Sequence, residues 1–398
     1  MTVDCQALEL FVPGRLCLFG EHSDWAGAMR KANPDIVPGR TIVVGTQQGL
    51  YARVRRLAEP VLRLRSTKDD GTVLEAEYPL EEGPLAAEAA AGGFWSYAAG
   101  TAYRLLVDFG VGGLSIDNYR TTLPLKKGLS SSAALCVLVA RAFNQAYALR
   151  LTTRGEMQYA YDGERMTPSQ CGKMDQACAF GSTPVLMTYD GDVLRCEPAT
   201  LGAPLHYVLV DLAAGKDTVA ILAALQAAFP VPATDEQRAC AELLGRINAD
   251  ITQRAIQLMA AGDAQQLGAL MREAQAAFDA RAAPLCPSQL ASPVLHRVLA
   301  HPPIQPLIYG GKGVGSQGDG TAQLLCRDAA AQAAVCSILQ ADFSAMTCLP
   351  FTVPATGSSN GLHTGSSSSS TAAAAGLCAN GSPAAGKAVE AVAVAAAQ

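Results

Sequence analysis

Between Thr122 and Ala134 the chain reads Thr-Leu-Pro-Leu-Lys-Lys-Gly-Leu-Ser-Ser-Ser-Ala-Ala. An apolar run ends there, turns through Gly128 and enters a helix behind Ser130, Ser131 and Ser132. A helix start leaves backbone N–H groups without partners and carries partial positive charge. Small residues at that point let a phosphate approach the donors closely, and a serine hydroxyl can reach a magnesium ion. Serine is also an ordinary N-cap, so the turn alone is a weak signal. It is not a G-x-x-x-x-G-K-[ST] loop, because Lys126 and Lys127 precede the glycine, where they add positive potential. The segment points to a phosphate-handling enzyme.

The 398 residues suffice for one large or two ordinary domains. A net charge of -5 argues against nonspecific binding to nucleic acid or to an anionic membrane surface. No apolar run has the length of a membrane span, and the first residues lack the pattern of a secretory signal. The 12 cysteines form no CxxC pair, and several stand in apolar runs where buried free thiols are the ordinary reading. A cytoplasmic protein without nucleic-acid or membrane partners is expected.

Strands are predicted over 9–19, 61–65, 114–118, 205–211, 306–309, 321–326 and 348–353, with a strand hairpin over 41–55 turning at Gln47-Gln48-Gly49. Helical periodicity covers 93–109, 131–149, 153–164 and 329–339, and 235–280 reads as two or more helices broken near Gly262-Asp263. Strands and helices mix without the regular alternation of a doubly wound sheet, so an α+β fold is expected. The expected division is an N-terminal domain over 1–200, a C-terminal domain over 201–354, and a disordered Ser- and Ala-rich tail over 355–398.

Three more places carry polar groups at glycine turns. After an apolar strand comes Pro13-Gly14-Arg15, then Gly20-Glu21-His22-Ser23-Asp24-Trp25. Arg15 can neutralise a phosphate, and Glu21 and Asp24 can accept hydrogen bonds from ligand hydroxyls. In 164–176, Glu164 closes a helix and Asp175 follows a Pro/Gly turn able to fold it back beneath the phosphate loop. One carboxylate there can orient or deprotonate an alcohol, and another can hold magnesium. The third place, 310–320, concentrates glycine between two apolar strands and fits a loop facing nucleotide or substrate. His206 reads as a packed histidine, and His296 and His301 have no metal-ligand partners nearby in sequence.

These places, in this order, resemble the motifs of the GHMP small-molecule kinase superfamily, above all its galactokinase-like members. Gly20-Glu21-His22-Ser23-Asp24-Trp25-Ala26-Gly27 is similar to the galactokinase motif Gly-Glu-His-Thr-Asp-Tyr-Asn-Gly, and 124–134 is similar to the second motif, with Lys126 where glycine is usual. Trp95 and Tyr97 also resemble the galactokinase pattern. The resemblance implies a two-domain GHMP kinase fold with an active-site cleft between the domains. It implies ATP bound by Lys126, Gly128, Leu129, Ser130, Ser131, Ser132 and Ala133, with magnesium at Ser131 or Ser132 and at Glu164. Asp175 takes the catalytic aspartate position with Arg15 beside it, and Glu21, His22 and Asp24 match sugar-contacting or adjacent structural positions. The third motif departs from the family at Ser316-Gln317 and Asp319, and 28–40 is longer than in galactokinases. Arg30, Lys31 or Arg40 in that longer segment offers a site for the carboxylate or phosphate of an acidic sugar.

The resulting expectation is ATP- and Mg2+-dependent phosphorylation of a monosaccharide or sugar acid, with the anomeric hydroxyl preferred, by a monomer or weak homodimer. A mevalonate-like alcohol kinase and a non-catalytic sugar sensor are the alternatives.

Overall fold

Apolar, β-branched runs build the first sheet of the computed structural model, which describes residues 7–123, 129–169 and 171–357. Strand β1 (Leu8–Phe19) is buried at every position from Val12 onward, as befits a strand covered on both faces. It runs antiparallel to β2 (Gly39–Arg56), from the pair Leu8–Val54 to the pair Phe19–Ile42. With β3 (Val61–Thr67), β4 (Val73–Pro79), β5 (Leu114–Thr121), β6 (Val185–Asp190) and β7 (Val193–Pro198), the described order is β4-β3-β5-β2-β6-β7, and β1 lies along β2. Among the described strands of this sheet, only β3 and β5 pair in parallel.

The hairpin expected at Gln47-Gln48-Gly49 is instead a bulge within one long strand. Pro13 pairs with Gly49 and Arg15 with Gly45, so residues 46–48 of β2 oppose Gly14 alone. Pairing with β1 resumes on both sides, which holds the polar tripeptide in the sheet as an irregularity. A bulge bends the strand and re-aims the side chains beside it. Arg15 is the first paired residue beyond this one.

Helices cover the sheet in two tiers. The first described helix, α1 (Ser23–Ala28), follows β1 directly, and α2 (Glu82–Ala91), α3 (Ser96–Phe109), α4 (Ser131–Tyr147) and α5 (Thr153–Glu164) come later. Helix α4 packs on β1 and β2, while α3 and α5 pack on α4. It is therefore buried nearly all round between Ala133 and Phe143, more than the single apolar stripe of a surface helix. Helices α3 and α5 meet backbone to backbone, since a Cβ on Gly163 would lie 2.4 Å from Thr101 Cα. Arg141 on α4 ties these layers together, donating to Glu156 Oε2 (2.9 Å), Ala179 O (2.7 Å) and Phe11 O (3.4 Å).

The change of sheet falls between Pro198 and Leu205. Strand β8 (Leu205–Asp211) belongs to a four-stranded antiparallel sheet ordered β11-β8-β10-β9, with β9 (Ile308–Gly313), β10 (Thr321–Cys326) and β11 (Thr347–Val353). The helices of this half are α6 (Thr218–Gln226), α7 (Asp235–Glu242), α8 (Asn248–Ala261), α9 (Ala264–Arg281), α10 (Pro287–Leu290), α11 (Pro293–Leu299) and α12 (Ala329–Asp342). The expected break is present: Gly262 turns with φ +71° and Asp263 caps α9 through Gln266 N (3.0 Å). The strand expected over 306–309 begins at Ile308, because Pro302, Pro303 and Pro306 hold a 3₁₀ turn before it. It then runs on through Gly310, Gly311 and Gly313. The β6–β7 hairpin was not foreseen, although Gly191-Asp192 between apolar runs is an ordinary two-residue turn signal.

The mixed α+β class is as expected. The described residues belong to one compact unit, and none of their helices is long and apolar enough to cross a membrane. The tail expected over 355–398 lies outside the described residues from 358 onward.

Candidate active site

The serine-rich helix start opens onto a cavity of about 750 Å³ lined by residues from both halves of the fold. Ser130 is left-handed (φ 55°, ψ 56°) and precedes α4 without a side-chain cap, so the first-turn N–H groups keep their donor capacity. Ser130, Ser131 and Ser132 all line the cavity, whereas Leu129 and Ala133 are buried beside it. Lys126 and Gly128 lie outside the described residues. Of the two aromatic residues noted upstream, Tyr97 lines the cavity and Trp95 packs on the core.

Behind the helix start sits Glu164, only 1% exposed. Ser132 Oγ donates to its Oε1 (2.8 Å) and Gln176 Nε2 to its Oε2 (2.7 Å). Burial, then the nearby Asp175, raise its pKa to about 7. A carboxyl group in this state gains from any cation brought to it.

Asp175 begins a 3₁₀ turn over Asp175–Phe180, and its carboxylate meets Arg15, which arrives from the bulged strand. Arg15 Nε donates to Asp175 Oδ1 at 3.0 Å, and a second guanidinium nitrogen reaches the same oxygen. Arg15 is buried with its pKa raised, since the pull of Asp175 outweighs the largest single effect, the opposing cost of burial. Asp24 stands close by and also lines the cavity. Burial, then Asp175, raise its pKa to about 6. Gly172 permits this placement, because a Cβ there would sit 1.9 Å from Asp24 Oδ2.

His22 and Glu21 part company. His22 takes a left-handed conformation (φ 68°), accepts a hydrogen bond from Trp25 Nε1 at Nδ1 (3.2 Å) and stacks on Phe278. Burial lowers its pKa to about 4, so the ring lining the cavity is neutral near pH 7. Glu21 is not among the cavity-lining residues. Its carboxylate is engaged by the Lys312 ammonium, which also donates to Gly313 O (2.9 Å). This pair joins the end of β1 to β9 at side-chain exposures of 5% and 2%.

The departures in the third glycine region have local structural tasks. Asp319 accepts a hydrogen bond from Leu295 N (2.8 Å) inside the first turn of α11, and Ser316 meets the Thr218 hydroxyl (3.2 Å). Gly315, Gln317 and Gly318 all have positive φ and curl the loop toward the cavity, where Gly315 and Ser316 line the wall. Lys216, between β8 and α6, donates to Gln317 O (2.9 Å) and lines the same wall. Lys216 was not legible as a site residue, because it is a lone lysine whose surroundings come from distant segments; Lys312 stands in the glycine-rich 310–320 segment, but its pairing with Glu21 could not be read there.

The segment 28–40 lies elsewhere. Arg30 pairs with Asp190 (2.7 Å), Lys31 with Asp192 (3.3 Å), and Arg40 donates to Gln253 (3.1 Å). None of the three lines the cavity, so the acidic-sugar role considered for them is not supported. Their partners are Asp190 at the end of β6, Asp192 in the turn after it and Gln253 of α8, and Arg30 also donates to Pro34 O (2.9 Å) within its own segment.

The raised carboxyl pKa values set a pH dependence of stability. Glu164 titrates near 7 when folded against an ordinary 4.5, and Asp24 near 6 against 3.8. In that window the folded chain holds more protons than the unfolded chain, so these groups cost stability as pH rises. The ligand-free Glu164→Gln variant is therefore expected to lose less stability than the parent between about pH 4.5 and 7. Urea unfolding across that range measures it, and parallel profiles would rule the effect out.

Residues 96–182 match the family model for the GHMP kinases N terminal domain. Among solved structures, the fold is similar to Lactococcus lactis galactokinase complexed with galactose, at 18% identity over 88% of this chain and 94% of that one, with a TM-score of 0.65. It is similar to Methanococcus jannaschii mevalonate kinase, at 14% identity over 88% and 98%, TM-score 0.64. It is also similar to Cytophaga hutchinsonii homoserine kinase, at 17% identity over 89% and 96%, TM-score 0.62. No curated protein sequence matches the chain. Residues 96–182 are thus similar to the N-terminal domain of GHMP kinases, and the chain has the fold of these solved kinases. The three similar structures are named for different acceptors, so the shared fold does not select among them.

Proposed function

We propose that this chain transfers the terminal phosphoryl group of ATP to a hydroxyl of a monosaccharide or a close derivative, with the anomeric hydroxyl as the preferred acceptor. The observation that carries the reading is the Arg15–Asp175 pair on the wall of the cavity onto which the uncapped start of α4 opens. Phosphoryl transfer needs positioning and charge stabilisation more than covalent chemistry. The serine-lined helix mouth supplies anion-binding donors, and Asp175 supplies an acceptor for the hydroxyl proton. Arg15 orients the Asp175 carboxylate through its guanidinium hydrogen bonds and adds positive charge where negative charge gathers.

The donor set fits magnesium. A Ser132 hydroxyl and a buried Glu164 carboxyl are hard oxygen ligands, and among the described residues no group of three or more His, Cys, Asp or Glu side chains is placed to form a full protein cage. Magnesium in kinases typically takes one or two carboxylates and fills its shell from phosphates and water. When bound, the ion would neutralise phosphate charge. Glu164 and Ser131 or Ser132 are the residues that would hold it.

A sugar is favoured by Asp24, the neutral His22 and Trp25, which line the cavity together. Asp24 offers acceptors for hydroxyl groups, His22 a ring N–H donor at Nε2, and Trp25 an aromatic surface. A panel of monosaccharides, sugar acids and mevalonate assayed for ATP consumption, with NMR of the product, tests this. A sugar phosphate is the expected product. Faster turnover of mevalonate than of any sugar would overturn the acceptor class, and saturable sugar binding without ATP consumption would replace the kinase with a sensor.

A further inference from the structure

Two lysines lie buried or largely buried near the cleft, and only one of them is neutralised from within. Lys312 has Glu21 and Gly313 O as partners. Lys216 has the carbonyl of Gln317, and among the described residues no carboxylate forms an ion pair with it. An ammonium carries three donors, so the remaining donors of Lys216 are available to the cavity it lines. The glycine loop fixes the head group: a Cβ on Gly320 would come within 2.6 Å of Lys216 Nζ. Burial and the facing Arg15 guanidinium lower its pKa to about 8. A second cation beside Arg15, without an anion of its own, is unfavourable in the empty site and gains when a ligand supplies the anion.

The neighbours of Lys216 locate this positive charge at the acceptor end of the cavity. Its field acts on His22, and Ser316, the neighbour of its loop partner Gln317, lines the cavity together with Trp25 and Asp24. Ser66 of β3 and Asn118 of β5 line the cavity as well, with Lys68 just beyond β3, and both strands belong to the first sheet. We propose that Lys216 binds a carboxylate of the acceptor, so that the preferred substrate is a sugar acid rather than a neutral sugar. The inference rests on the kinase reading of this cavity and narrows its substrate class. It also moves recognition of an acidic group from the 28–40 segment to the connection between β8 and α6.

Matched pairs that differ only in the carboxylate test it: galacturonate with galactose, glucuronate with glucose, and mannuronate with mannose. The parent chain is expected to favour the acid in at least one pair by about tenfold or more in kcat/KM. In Lys216→Gln that ratio falls to near one, and the loss appears in KM for the acid. An equal loss on acid and neutral sugar, or a rise in KM for ATP alone, would assign Lys216 to the phosphates and overturn the proposal. Binding of the same pairs, followed by ligand-observed NMR without ATP, keeps the two readings apart. Acid-selective binding lost in Lys216→Gln supports the carboxylate site even if no phosphoryl transfer occurs. Absence of acid preference in both binding and turnover refutes the site while leaving the kinase reading to its own assay.

Discussion

Asp175→Asn is expected to lower kcat by roughly 10²- to 10⁴-fold, the range typical of removing a positioned general base. Asparagine preserves the shape of the side chain and can still accept the hydrogen bond from Arg15 Nε, now 3.0 Å from Asp175 Oδ1. It cannot take a proton from a substrate hydroxyl. Because the carboxylate also balances a buried guanidinium, the variant should lose some stability, so its folding has to be checked by circular dichroism at the assay temperature. Affinity for ATP, measured separately, should change little. A folded variant with parental kcat would remove Asp175 from the mechanism, and with it the observation that carries the proposed function.

The second large effect concerns stability. Glu21 and Lys312 form an ion pair at 5% and 2% side-chain exposure, linking the end of β1 to β9. Removing one partner strands the other charge away from water, at a cost of about 3–5 kcal/mol. Glu21→Gln and Lys312→Met should each lower the stability measured by urea unfolding by that order. Combining them should recover most of the loss, because no unpaired charge remains. Singles that behave like the parent, or a double variant with the summed loss, would show that the charges are not coupled. The pair also bears on the Gly-Glu-His motif. In this chain the glutamate is engaged with the second sheet, while His22 and Asp24 line the cavity.

Arg15, Asp175, Glu164 and the serines at 130–132 converge although Arg15 and Asp175 are 160 residues apart in sequence. The pairing depends on two local features that look minor in isolation. The bulge opposite Gly14 lies just before Arg15, and the backbone contact at Gly163 brings α5 against α3 just before Glu164. Neither can be read from periodicity, since a bulge and a turn present the same polar, glycine-bearing signature.

Much of the molecule was nevertheless written in its local pattern. The apolar runs of β8, β10 and β11, the helix ending at Glu164, the break at Gly262-Asp263 and the ordered sequence of glycine motifs are all properties of neighbouring residues, so the α+β class and the phosphate-binding helix start could be read directly. The tertiary structure alone decided which distant charges meet: Glu21 with Lys312, Arg30 with Asp190, and Lys216 with no carboxylate among the described residues. Hydrophobic period and turn chemistry act over a few residues, whereas the charge state and partners of a buried group depend on whichever segments the fold packs around it.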